Sequence, residues 1–149
     1  MITIVTGPTH CGKSTYIKQH KQKIDYYIDI LDFQVANNVD GLLEGQYQFY
    51  FRLEQMVRNN SKNKDIWVEG CFSNPYRIAQ LIDTVRAANE EVKIQVIYIL
   101  RDENWYFYNL EDPFTAVSAA AQLEMYKLYN GASAAVYKLN KNEELEKVN

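Results

Sequence analysis

The chain has 149 residues, 47% of them hydrophobic and 23% charged, with a formal net charge of −3. That length suits one domain over residues 1–149, because compact domains most often run about 100–150 residues and a second core would lack material. The mild acidity argues against a protein that coats nucleic acid through bulk charge and leaves only local contacts open, while the longest strongly apolar stretch, Val96 to Leu100, falls far short of the roughly 20 residues that cross a bilayer.

In chain order, Ile2 to Thr6 reads as a strand and Ser14 to about Lys21 as the helix after it, with Tyr16, Ile17 and His20 spaced for one face. Tyr26 to Leu31 reads as the second strand. Gly41 to Asn59 is expected to be helical, with Leu42, Leu43, Phe49, Leu53, Met56 and Val57 available for burial and Asn59-Asn60-Ser61 as the stop. Asp65 to Gly70 is the third strand, and Pro75 suits the first turn of a helix running to Ala88. Lys93 to Leu100 is the clearest strand. Thr115 to Tyr129 is alanine-rich and expected to be helical, with Gly131 at its end. Ala134 to Leu139 is a fifth strand candidate, and the polar tail "KNEELEKVN" is expected to fray or form a short helix. Alternating β and α units of this kind build an α/β domain with a mainly parallel sheet and helices on both faces.

Cys11 and Cys71 are too few for a disulfide framework and read as reduced thiols. The glycine-rich loop begins at Gly7 and leaves no apolar leader, so a cytoplasmic location is expected. His10 and His20 have no partner spacing for zinc.

Gly7-Pro8-Thr9-His10-Cys11-Gly12-Lys13-Ser14 fits G-x-x-x-x-G-K-[S/T], the phosphate-binding P-loop, or Walker A motif, with Thr15 next in line. The motif sits after a β-branched strand and before a helix, where its mechanism requires it. Glycines let the backbone close around anionic oxygens with N–H groups turned inward. Lys13 is expected to reach the β- and γ-phosphates of ATP, and the Ser14 hydroxyl to ligate Mg²⁺.

With "DILDFQ" after the second strand, "WVEGCFSNPYR" ending the third and "VIYILRDEN" ending the fourth, the chain resembles the P-loop kinase group: small nucleoside and nucleotide kinases, polynucleotide-kinase-like and zeta-toxin-like proteins. The resemblance implies a three-layer fold with a five-stranded parallel sheet ordered 2-3-1-4-5. It also implies that Asp32 contacts the phosphoryl acceptor and serves as its base, Asp29 being disfavoured because it lies within the strand; the alternative for Asp32 is a helix N-cap. Glu69 is placed on the Mg²⁺ shell or on the substrate, against a plain strand-end charge. Arg77 is placed on an acceptor phosphate, against an exposed helical arginine. Arg101 is placed on a transferring phosphate, against a surface charge. The chain departs from the group after Arg101, because no arginine occurs from Asp102 onward and the would-be lid, "RDENWYFYNLEDPF", is aromatic and acidic.

Two functions stay open on this reading. The first is a kinase that moves the γ-phosphoryl of ATP to a hydroxyl or phosphate of a small molecule, a nucleotide or a polynucleotide end. The second is an ATP- or GTP-binding module or slow ATPase that acts through a protein partner docked on Trp105 to Phe114. A guanine-specific GTPase is disfavoured because the base-reading N-K-x-D pattern does not appear at its usual place, and a helicase-type motor because the chain has no room for a second motor domain.

Overall fold

The computed structural model describes residues 1–7, 12–33, 38–60, 62–70, 75–101 and 133–147. The helix expected over Thr115 to Tyr129, the aromatic stretch after Arg101 and both cysteines lie outside the described residues.

The strands are β1 (Ile2–Thr6), β2 (Tyr26–Asp29), β3 (Ile66–Gly70), β4 (Ile94–Arg101), β5 (Ser133–Leu139) and β6 (Leu145–Lys147), arranged β2-β3-β1-β4-β5-β6 in one sheet. β1 and β3 are buried at every position. That burial explains their mainly apolar character, broken only by Thr3, Thr6 and Glu69: a parallel strand covered on both faces needs no polar alternation. The first five strands are parallel to one another and follow the order the resemblance implies.

The sixth strand is a correction to the five expected. The tail forms neither a helix nor a frayed end over Leu145–Lys147, but returns antiparallel along β5. Asn140 makes the turn: its Oδ1 accepts from the Asn142 and Glu144 backbone N–H groups at 2.9 and 3.0 Å, and its Nδ2 donates to Glu146 at 2.9 Å. Asparagine suits this role because its short amide reaches its own backbone two residues on. The second strand also ends earlier than expected, at Asp29, where the chain tightens into a 3₁₀ turn over Ile30–Phe33.

Three helices cover the sheet among the described residues: α1 (Lys13–Gln19), α2 (Val39–Asn60) and α3 (Pro75–Ala88). Asn38 caps α2, with its Oδ1 accepting from the Gly41 N–H at 2.7 Å. Even-numbered residues of the inner strands, such as Ile2, Ile4, Ile66, Val68 and Val96, face α2 and α3 and form the larger core with Phe49, Leu53, Val57, Leu81, Ile82 and Val85. The odd-numbered residues Val5, Trp67, Ile97 and Ile99 face α1 and pack with Tyr16. This strict alternation is the two-residue strand period made visible.

Of the residues expected to bury from α2, Phe49, Leu53, Met56 and Val57 do so. Leu43 does not: it is 58% exposed and continues into Tyr47 and Phe51, at 75% and 55% exposed, as a row of apolar side chains four residues apart. No described helix is long and apolar enough to cross a membrane.

Candidate functional site

In parallel strands all C-terminal ends fall on one edge of the sheet, and ligands of open α/β folds bind in the crevice there. Register puts the candidate residues along that edge. Thr6 pairs with Gly70, so Gly7 leaves β1 beside the end of β3. Asp29, the last residue of β2, stands opposite Glu69. β4 and β5 run further: Tyr98 is opposite Thr6, and β4 continues to Arg101, which pairs with Leu139.

The extra length of β5 explains Gly12. This residue opens α1 with φ 106°, a conformation that favours glycine, and a Cβ added to it would lie 3.0 Å from Leu139 Cδ2. Gly7 also has positive φ, 153°. Both glycines of the motif therefore meet a structural need, one at each end of the segment that joins β1 to α1. Lys13 follows at once, and its Nζ donates to the Gly7 carbonyl at 3.1 Å. Its ammonium thus spans from the start of α1 back to the end of β1. Ser14 is exposed and Thr15 half-buried in the first turn of α1. Pro8, Thr9, His10 and Cys11 lie outside the described residues.

Glu69 lies at the middle of the charged group. It is only 8% exposed, and its Oε2 accepts a hydrogen bond from the Tyr27 hydroxyl. Burial pushes its carboxyl above the ordinary carboxylate range; Tyr27 and Lys13 pull it back, while the negative charges of Asp29 and Asp32 push it further up. Lys13, Asp29 and Asp32 are therefore each close enough for Glu69 to sense their charge, although the four come from separate elements. Asp29 Oδ1 accepts from the Leu31 N–H at 2.9 Å and so shapes the turn into the 3₁₀ segment. Asp32 sits exposed in that segment, which Phe33 anchors on α2 by an edge-on contact with Phe49 at 5.7 Å. Asp32 does not begin α2, since Asn38 takes the cap.

Arg77 lies in the first turn of α3, half-buried. With the Gln46 amide oriented so that its oxygen faces the guanidinium, Arg77 donates to it from both terminal nitrogens at 3.2 and 3.0 Å. Its charge also opposes the rise that burial imposes on the Tyr50 hydroxyl. Its side-chain partner among the described residues is thus a neutral amide. Arg101 closes β4 on the site edge.

Sequence reasoning passed over Tyr27 and disfavoured Asp29. The structure brings both to Glu69, because residues two apart on β2 share a face and β2 lies next to β3. Only the strand pairing reveals this.

The residues suit a nucleotide with Mg²⁺ on the evidence of Glu69, a buried carboxylate beside two further carboxylates, an arrangement that a cation relieves. Among the described residues no group of three or more His, Cys, Asp or Glu side chains is arranged to hold a metal by itself. Mg²⁺ usually takes one or two protein oxygens and completes its shell with phosphate and water.

At the sequence level neither a family model nor a curated protein matches the chain. Solved structures do match its fold. A candidate kinase from Chloroflexus aurantiacus has a TM-score of 0.67 at 10% identity, covering 97% of this chain and 91% of that one. A sugar kinase from Janibacter sp. HTCC2649 has 0.57 at 14% identity, over 92% and 84%. A structure from the PezAT chromosomal toxin-antitoxin system of Streptococcus pneumoniae has 0.54 at 12% identity, over 97% and 69%. The fold is that of the P-loop kinase-like proteins.

Proposed function

We propose that the chain is a phosphotransferase that binds ATP and moves its γ-phosphoryl group to a hydroxyl or phosphate of a small molecule, a nucleotide or a polynucleotide end. The observation that carries this reading is the meeting of Lys13 with Glu69, Asp29 and Asp32 on one sheet edge, behind a loop whose two glycines both adopt positive φ. A phosphate chain held by the loop backbone from Gly7 to Gly12 would draw Lys13 away from the Gly7 carbonyl to its β and γ oxygens, with Ser14 and Thr15 beside it. Ser14 and Glu69 would hold Mg²⁺, which when bound neutralises charge on those oxygens.

Asp32 is the base for the acceptor hydroxyl: it is exposed, so an acceptor reaches it, and it lies close enough to Glu69 to be on the transfer side. Asp29 is its nearest rival, but one of its oxygens is committed to the turn. Arg77, whose described partner is neutral, supplies the site for an anionic group on the acceptor, and Arg101 a contact to the transferring phosphoryl.

A second reading is favoured by one feature of the sequence: no arginine follows Arg101. A nucleotide-binding module or slow ATPase, acting through a protein partner, needs no arginine lid. Incubation with γ-labelled ATP and Mg²⁺ separates the two. Label moved to an oligonucleotide 5′-hydroxyl, a nucleotide or a sugar establishes the kinase and names its acceptor. Label released only as phosphate, or retained on bound ATP, establishes the alternative. Lys13→Ala is the blank, and Asp32→Ala is expected to abolish transfer while sparing ATP binding.

A further inference from the structure

Tyr27 has no part in the reaction described so far, yet its hydroxyl is the described hydrogen-bond partner of the buried Glu69 carboxylate. Its strand register explains the reach. Tyr27 stands opposite Trp67, and Glu69 follows two residues later on the same face of β3, so the phenol points diagonally toward the site edge. A second acceptor, Asp29 Oδ2, lies at 3.4 Å, the long end for a hydrogen bond. The ring is 42% exposed and belongs to neither core, so packing does not require it.

A carboxylate buried among two like charges has reason to turn away from them. An arginine or lysine in place of Tyr27 would hold it, but would also neutralise the charge that a cation needs. A phenol does the first without the second, because it donates one hydrogen bond and carries no charge. Burial and the two carboxylates push the phenol above its ordinary range, so it stays the donor.

We propose that Tyr27 is a positioning residue whose hydroxyl fixes the Glu69 side chain in one orientation, so that the carboxylate is presented, still charged, to a divalent cation on the bound nucleotide. The proposal rests on the reading of Glu69 as a cation-facing group. Partners that orient a metal-binding side chain typically change metal affinity by about 10–100-fold when removed, and one neutral hydrogen bond belongs at the lower end of that range.

The test is the affinity of Mn²⁺ for the full chain saturated with ATP, read from the paramagnetic resonance of the free ion, in the unmodified protein, Tyr27→Phe, Glu69→Gln and the double variant. Tyr27→Phe is expected to weaken Mn²⁺ about 10-fold. Its metal-free ATP affinity should match that of the unmodified protein. Glu69→Gln should weaken Mn²⁺ at least as much, and the double variant no further, since the two side chains act as one unit. Normal Mn²⁺ affinity in Tyr27→Phe with a loss in Glu69→Gln would overturn the positioning role and leave the reading of Glu69 intact. Normal affinity in Glu69→Gln would overturn that reading, and this proposal with it. A Tyr27→Phe variant that loses ATP equally with and without metal would reveal a merely structural tyrosine and also overturn the proposal.

Discussion

The two faces of the sheet are built on different terms. Toward α2 and α3 the buried side chains are aliphatic or aromatic, apart from Thr6 at the strand end, and they interlock along the full length of the inner strands. Toward α1 the buried set is smaller and mixes Val5, Ile97 and Ile99 with polar-tipped rings: Tyr16 stacks on His20 at 4.2 Å and on Trp67 at 5.9 Å, tilts against Tyr137 at 5.0 Å, and gives way to Glu69 at the strand ends. The first face holds the molecule together, and the second holds charge where water is scarce. Burying a carboxylate costs stability, and the other face absorbs that cost.

That division is testable by damaging one face at a time. Leu81→Ala, a fully buried change on the α3 side, should cost about 2–5 kcal/mol in denaturant unfolding while leaving the ATP affinity of the folded protein unchanged. A parallel loss of affinity would show that the faces are not separable. Gly12→Ala should cost less stability, about 1–3 kcal/mol from its positive φ, yet weaken ATP binding markedly. Pairing it with Leu139→Ala relieves the close approach but not the backbone strain, so the double variant should recover only part of the binding.

The smallest effect is the most diagnostic. Burial holds the Glu69 carboxyl above the ordinary carboxylate range, so the folded protein binds that proton more tightly than the unfolded chain does, and stability falls as pH rises through the raised value. Glu69→Gln should therefore stabilise the nucleotide-free protein at neutral pH, with the gain shrinking as pH falls into the ordinary carboxylate range. Comparing melting temperatures of the two proteins across that range checks it, and a variant less stable at neutral pH would mean that the carboxylate is already compensated.

Much of this architecture was legible beforehand, for physical reasons that differ by element. β1, β3 and β4 announce themselves because strands buried on both faces are largely apolar, and α3 because Pro75 opens it. The P-loop glycines were legible as a motif, but the need at Gly12 was not, since it depends on Leu139, far along the chain. The exposed row at Leu43, Tyr47 and Phe51 shows what helical periodicity lacks: it finds apolar positions without saying which are covered. β6 was hidden because three residues with one apolar side chain carry no period, and its pairing follows from the Asn140 turn. Tyr27 and Asp29 were hidden because their meeting with Glu69 is a property of neighbouring strands.

The Asn140 turn also bears on solubility. A parallel sheet that ended at β5 would offer a seven-residue row of unsatisfied backbone groups, long enough to template another chain. By folding back, the chain pairs the Tyr137–Leu139 part of that row and sets outside it a strand of three residues, two of them the charged Glu146 and Lys147. Over that stretch, so short and charged an edge gives a second molecule little to pair with, and the hairpin thereby guards the C-terminal half of β5 against edge-to-edge growth into fibrous aggregates.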